Sequence, residues 1–264
     1  MEKENTLTVA VLGAGNIGSA MARGLAGSGH TVHLYNRGAA RLESFGSMPG
    51  VVPTQSLEDA LRGADLSLIC VEGHAVMPLI GAMGRFLESQ SAVVGSCAAA
   101  ISTDELSEAL GRFVSQPKVF RLLPNIAATA GKSANLLCAK GIGNSDLSVL
   151  QDIFECTGTT LIVEERLFPA AMALSSCGIA YAMRYVRATM SAGVQMGLSP
   201  AVAEAITAGV LDGTAALLAS GKHPEELIDA VTTPGGLTIR GLNAMEAAGF
   251  TPSVIAGLTA AAKV

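Results

Sequence analysis

Leu7-Thr-Val-Ala-Val-Leu-Gly13-Ala-Gly15-Asn16-Ile17-Gly18 is an apolar run of strand length that enters a G-x-G-x-x-G turn. Ile17, Met21 and Leu25 follow on one helical face, through Gly27. The glycine pattern alone is common. Placed between a strand and a helix, it is the fingerprint of a dinucleotide-binding turn. Gly13 permits the tight turn, Gly15 lets backbone approach a pyrophosphate, and Gly18 lets the helix pack on the strand. The N–H groups around Asn16 and Ile17 then open the helix toward the phosphates.

The next strand, Thr31–Tyr35, chooses among nicotinamide cofactors. It runs into Asn36 and Arg37 with no carboxylate, whereas an NAD site usually places Asp or Glu there for the ribose hydroxyls. Asn36 can bond the ribose. The guanidinium of Arg37, with Arg41 one turn on, suits a 2′-phosphate. The expected cofactor is NADP, with NADPH preferred over NADH. The other reading of Arg37 and Arg41 is a pair of solvated surface charges.

Outward from this turn the first part of the chain alternates. Leu66–Val71, Ala92–Gly95, Val119–Leu122, Asn135–Ala139 and Thr160–Val163 have strand length, and Leu57–Arg62 reads as a helix. Ser102-Thr-Asp-Glu105 is a capping box opening a helix through Leu110. Such alternation predicts an α/β fold, a Rossmann-like parallel sheet covered on both faces, over residues 1–165. Beyond that point strand-like runs stop. Helical periodicity continues, broken at Gly197–Pro200, Gly221–Pro224, Pro234–Gly236 and Gly249–Pro252. Residues 166–264 are therefore expected to form an all-α domain. Its helices are apolar on more than one face, which predicts a homodimer or larger homo-oligomer.

Composition narrows the function classes. The net charge is −5 with no basic block, which argues against nucleic acid as a partner. The uncharged stretch from Leu167 to Met183 falls short of the roughly 20 residues of a bilayer span and contains Pro169 and Gly178, so it reads as a buried helix. A signal peptide is not expected either, since cleavage there would destroy the glycine turn. Half the residues are hydrophobic but only 4% are aromatic, so small residues should let helices pack closely. The cysteines (70, 97, 138, 156 and 177) have no C-x-x-C spacing and read as reduced thiols of a cytoplasmic protein. Four scattered histidines make no legible metal site.

The catalytic residues of a ketone reductase are missing. Reducing a ketone creates an alkoxide and calls for a proton donor. No Lys lies between Gly141 and Gly221, so the helix lysine of two-domain hydroxyacid dehydrogenases has no counterpart. Tyr181 and Tyr185 are followed four residues later by Tyr185 and Thr189, not by Lys. Imine reduction makes a smaller demand: hydride addition to a protonated C=N carbon gives a neutral amine and develops no anion. In the second half, Pro234-Gly235-Gly236 forces a turn, and Ile239, Leu242 and Met245 continue at helical spacing. Thr238 sits where an N-cap belongs, and the N–H groups from Gly236 to Thr238 would gather at a helix start. That suits a substrate carboxylate, and it equally suits an ordinary turn between helices.

The segment from Asp229 to Glu246, DAVTTPGGLTIRGLNAME, resembles the C-terminal signature of the pyrroline-5-carboxylate reductases. The resemblance covers almost the whole chain. It extends to Gly13–Gly18, to Arg121-Leu-Leu-Pro124-Asn125, to Ala192–Leu198 and to Ser220–Pro224. It implies a C-terminal dimerisation domain and NADPH-driven reduction of pyrroline-5-carboxylate to proline. By the same resemblance Thr238 would bond the substrate, and the turn holding Thr233, Gly235 and Gly236 would hold its carboxylate. Val71, Pro124 and Asn125 would belong to the cofactor side. The chain departs from the family pattern in Ser176, Cys177 and Ile179, where the family has Ser-Gly-Ser-Gly-Pro-Ala, and in Arg187, Leu237 and Val71-Glu72-Gly73. These departures keep open a different cyclic imine, such as a piperideine carboxylate, and a non-catalytic NADP-binding regulatory protein.

Overall fold

The computed structural model describes residues 6–87 and 93–262. The chain divides into two compact units, Met1–Ser176 and Cys177–Val264. The sequence places this boundary at 165/166. The first unit continues to Ser176 because Phe168 is buried with Leu123, Leu136 and Cys138, and Ala173 is buried as well.

The first unit is built on an eight-stranded sheet. In chain order its strands are β1 (Thr8–Leu12), β2 (Thr31–Tyr35), β3 (Val51–Thr54), β4 (Leu66–Ile69), β5 (Val93–Ser96), β6 (Lys118–Leu123), β7 (Ser133–Lys140) and β8 (Gly158–Ile162). Its spatial order is β3-β2-β1-β4-β5-β6-β7-β8. The direction of winding thus reverses between β1 and β4, where open α/β sheets form a crevice at their carboxyl ends. The helices are α1 (Asn16–Gly27), α2 (Leu57–Leu61), α3 (Gly73–Leu87), α4 (Thr103–Leu110), α5 (Asn144–Phe154) and α6 (Phe168–Met172).

Alternation along β1 shows why both faces are covered. Val9 and Val11 point to a core with Met21 and Leu25 of α1 and Phe154 of α5. Ala10 and Leu12 point to a second core with Ile80 and Met83 of α3 and Leu106 and Leu110 of α4. All four β1 side chains are fully buried, and period-two alternation sends them to opposite layers.

Several expectations need correction. The sheet is not wholly parallel: β7 runs antiparallel to β6, with Arg121 opposite Cys138. An antiparallel strand near the edge of a parallel sheet is compatible with helices on both faces. The predicted strand at 92–95 is observed as Val93–Ser96, and residue 92 lies outside the described residues. The uncharged stretch from Leu167 to Met183 is helical from Phe168 on but is not a buried helix, since only Phe168 and Ala173 of it are buried in the single chain. A π-helical turn, Ala173–Cys177, separates α6 from the next helix.

The second unit is helical throughout its elements: α7 (Gly178–Gln195), α8 (Pro200–Leu218), α9 (Pro224–Ala230), α10 (Leu237–Ala247) and α11 (Phe250–Ala261). The breaks fall where Gly and Pro predict them. Pro200 and Pro224 occupy first-turn positions, and Ser199 and His223 cap their helices. Gly193 of α7 lies against Ala203 of α8, and a Cβ on that glycine would sit 3.0 Å from the alanine Cβ. Among the described residues one helix, Pro200–Leu218, is long and apolar enough to cross a membrane by length and composition, with a mean hydropathy of 1.4. Only 11% of it is buried within the single chain.

Candidate functional site

The carboxyl ends of β1, β2, β4 and β5 surround a cavity of about 800 Å³. Gly13, Gly15, Asn16 and Ile17 form one wall, Asn36, Arg37 and Arg41 a second, and Val71 with the start of α3 a third. Seven sequence-predicted cofactor residues (Gly13, Gly15, Asn16, Ile17, Asn36, Arg37 and Val71) meet around it.

The glycine turn separates into two kinds of position. Gly13 has φ of 119°, and a Cβ there would lie 2.7 Å from the Cys70 carbonyl oxygen. A Cβ on Gly18 would lie 1.8 Å from the Gly13 carbonyl oxygen. These two glycines are required by packing inside the protein, and Gly18 is not part of the cavity wall. Gly15 differs. Its φ of −75° is open to any residue, and a Cβ there would meet only the Arg41 Nη1, at 3.7 Å. The protein itself leaves room at Gly15, so the bare backbone there fits a group entering from the cavity. Gly15 also caps α1 with no side-chain hydrogen bond. The first-turn N–H groups therefore lack side-chain acceptors, as an anion at a helix start requires. These features and the paired guanidinium side chains fit the pyrophosphate and 2′-phosphate of a dinucleotide.

The Gly13 N–H donates to the Tyr35 carbonyl at 2.8 Å, and the Ala14 N–H donates to Asn36 Oδ1 at 3.3 Å. Asn36 Nδ2 donates to the Gly38 carbonyl at 2.8 Å. The Asn36 amide thus clamps the glycine turn to the end of β2. The sequence reading gave it a ribose hydroxyl, and its Nδ2 already has a protein acceptor.

Pro124 and Asn125 lie outside the cavity wall. Asn125 is buried and engaged at every polar atom of its side chain: Oδ1 accepts from the Ala127 N–H at 2.9 Å, and Nδ2 donates to the Ser175 carbonyl at 2.9 Å. It ties the end of β6 to the π-helical turn.

Sequence reasoning missed the anchor of the loop after β5. Arg121 of β6 donates to Glu165 at 2.8 Å and to the Ala99 carbonyl at 2.7 Å, and its guanidinium stacks over Phe168 at 4.6 Å. The Thr103 N–H and hydroxyl also donate to Glu165. Burial disfavours the charge on Glu165, but the Thr103 hydrogen bonds and then Arg121 outweigh it and hold the carboxyl below its usual range. Residue spacing carries no signal for this cluster, since its members come from three separate stretches of the chain, 99–103, 121 and 165–168. Also missed were Cys70 and Cys97, which line the cavity floor. The place of Cys70 at the end of one predicted strand, and of Cys97 two residues past another, was the available signal.

In the second unit Thr233, Gly235, Gly236 and Thr238 share one turn. Gly235 has φ of 68°. The Gly236 N–H donates to the Thr233 carbonyl at 2.9 Å, and that threonine's Oγ1 would lie 2.5 Å from a Cβ on Gly236. The N-cap of α10 is Gly236, not Thr238, because Gly236 holds the extended conformation (φ −68°, ψ 175°) that precedes a helix. Thr238 lies in the first helical turn. The Gly236 N–H is already bonded, so the open donors begin at Leu237. Leu237, a departure from the family pattern, is 85% exposed.

Comparison with known proteins bears on both units. Residues 165–264 match the family model described as pyrroline-5-carboxylate reductase dimerisation. Residues 8–100 match the one described as NADP oxidoreductase coenzyme F420-dependent. The chain is 30% identical over 280 residues to pyrroline-5-carboxylate reductase 2 of Dictyostelium discoideum, covering 98% of this chain and 92% of that one. It is 32% identical over 268 residues to pyrroline-5-carboxylate reductase 1 of the same organism, covering 95% of this chain and 48% of that longer protein. A solved pyrroline-5-carboxylate reductase from Coxiella burnetii superimposes with a TM-score of 0.91 at 25% identity, covering 98% and 97% of the two chains. The NADP-bound enzyme from Plasmodium falciparum shares the fold, with a TM-score of 0.81 at 23% identity and coverage of 98% and 97%.

Proposed function

This chain belongs to the pyrroline-5-carboxylate reductase family, and we propose that it reduces the C=N bond of 1-pyrroline-5-carboxylate to give proline, with NADPH as the reductant. The observation that carries the reading is the cavity at the reversal of strand order. It is lined by a side-chain-free Gly15 at an uncapped helix start and by Arg37 and Arg41. NADP in the Plasmodium falciparum relative supports the same choice of cofactor.

When bound, the cofactor supplies the hydride. The α1 N–H groups and Gly15 hold its pyrophosphate, and Arg37 with Arg41 holds its 2′-phosphate. Val71 gives an apolar wall. Gly13 and Gly18 set the shape of the turn. Asn36 acts mainly as the clamp on that turn, with Oδ1 still able to accept a further bond. Pro124 and Asn125 support the cofactor side from behind. Thr238, with Thr233, Gly235 and Gly236, holds the substrate through the first-turn N–H groups of α10 and the threonine hydroxyl. No general acid is required of this protein: an imine that enters protonated accepts the hydride and leaves as a neutral amine.

We further read the protein as a cytoplasmic homodimer. The matched dimerisation family supports a homo-oligomer. The exposed stripe Val202, Ile206, Val210 and Leu217 on α8 supplies an apolar face for it, and all five cysteines are free thiols.

The test is nicotinamide absorbance with pyrroline-5-carboxylate and, separately, a piperideine carboxylate. Turnover of the first is expected. Turnover of the second alone would move the assignment to another cyclic imine, and NADPH binding with no turnover would make this a regulatory binding protein. The Thr238→Ala variant is expected to lose imine turnover while keeping its NADPH affinity; loss of that affinity instead would misplace the substrate turn.

A further inference from the structure

Cys70 and Cys97 follow directly on β4 and β5, whose last paired residues are Ile69 and Ser96. Pairing continues one step further, since the Cys97 N–H donates to the Ile69 carbonyl at 2.9 Å. The two thiols thus stand side by side on neighbouring strands, with their sulfurs 3.7 Å apart, and both line the dinucleotide cavity. Adjacent strands lie within the span that a disulfide bridges, and closing this pair brings the sulfurs from contact distance to about 2 Å.

Cys70 is also the residue on which the glycine turn rests. Its carbonyl oxygen lies 2.7 Å and its Cβ 3.0 Å from where Cβ atoms would stand on Gly13 and Gly18 respectively. Its N–H donates to the Leu12 carbonyl at 2.8 Å. The turn packs so close to Cys70 that no Cβ fits between them, and Cys70 is hydrogen-bonded to the strand that enters the turn, so a shift of Cys70 is passed to the turn that meets the pyrophosphate.

We propose that Cys70 and Cys97 form a peroxide-oxidisable dithiol, whose disulfide weakens NADPH binding. This rests on the assignment of the cavity to NADPH. The Cys70 sulfur attacks one peroxide oxygen, the O–O bond breaks, and the departing hydroxide takes the Cys70 proton, leaving a sulfenic acid and one water. The Cys97 sulfur attacks that sulfenic sulfur, the S–O bond breaks, and the hydroxyl leaves with the Cys97 proton as a second water. Two thiols lose two electrons to form the S–S bond, and one peroxide is reduced to two waters. Cys97 takes the second role by proximity, its sulfur 3.7 Å from that of Cys70, although its bond to Cys70 and its burial hold its thiol above the ordinary range and slow its attack. The other buried thiols are poorly placed to compete. Burial pushes Cys138 and Cys156 up to about 12, and neither lines this cavity.

The experiment treats reduced full-length protein with hydrogen peroxide, digests it without reductant and weighs the peptides. NADPH affinity is measured before and after treatment, and again after dithiothreitol. Expected are a Cys70–Cys97 cross-linked peptide, an affinity lowered about tenfold, and recovery on reduction. Saturating NADPH should slow the cross-link, because binding and oxidation are linked. For Cys97→Ser, peroxide should give no cross-linked peptide at Cys70. Two thiols that remain fully alkylatable after peroxide would overturn the proposal, as would a cross-link with unchanged affinity. Cross-linking is read without cofactor. Failure of the reduced wild type to bind NADPH would instead count against the assignment of the cavity.

Discussion

Gly15 and Gly18 are three residues apart in one motif, yet they answer to different constraints. Gly18 has no room for a methyl group because backbone of the Gly13 turn occupies the space. Gly18→Ala should therefore destabilise the first unit by about 2 kcal/mol or more, visible as a lower thermal midpoint. Gly15→Val should leave that midpoint nearly unchanged and abolish NADPH binding, because its side chain enters only the cavity. A Gly15→Val protein that still binds NADPH would show that the pyrophosphate lies elsewhere. Arg37 poses a parallel question of charge. Arg37→Ala should weaken NADPH by about 2 kcal/mol, the worth of a charge-assisted hydrogen bond, and leave NADH nearly unaffected. Equal losses for the two cofactors in titrations would remove the 2′-phosphate from Arg37.

At the scale of elements, the glycine turn, β2, the α4 capping box and the helix breaks of the second unit were legible because each has a local cause. Ser102 and Glu105 do cap α4 reciprocally, as their spacing requires. What was not legible has physical reasons too. β3 is four residues long and contains Pro53, which an edge strand tolerates and a strand pattern hides. Pro78 and several glycines interrupt α3, although Val76, Ile80, Met83 and Leu87 still bury one face. The stripe of Leu150, Ile153 and Phe154 in α5 is short and preceded by polar residues. Strand direction leaves no trace in periodicity, so the antiparallel β6–β7 pair could not be read. The Glu165 tie was invisible for the same reason: it joins elements distant in the chain. Its effect on stability has a definite sign. The Glu165 pKa is depressed in the folded state, so its contribution is present above the ordinary value of 4.5 and is lost as pH falls through the folded value. Glu165→Gln should cost about 2 kcal/mol at neutral pH, since Arg121 is left buried without its charge partner while solvent reaches part of the carboxylate. The gap in thermal midpoint between variant and wild type should close in acid. A gap independent of pH would mean that the tie acts through shape alone.

At the scale of the molecule, a second unit with small residues between α7 and α8 and an apolar stripe on α8 is incomplete as a lone chain. Ile206→Glu with Val210→Glu should shift sedimentation to the monomer, and an unchanged sedimentation coefficient would put the subunit contact on another face. The absence of a lysine donor, an obstacle for a ketone reductase, becomes coherent once the product is a neutral amine. The stoichiometry of a single reaction is therefore decisive. Reduced protein mixed with NADPH and pyrroline-5-carboxylate should form one proline for each NADPH oxidised. NADPH that binds but is not consumed, or is consumed without proline appearing, would contradict it.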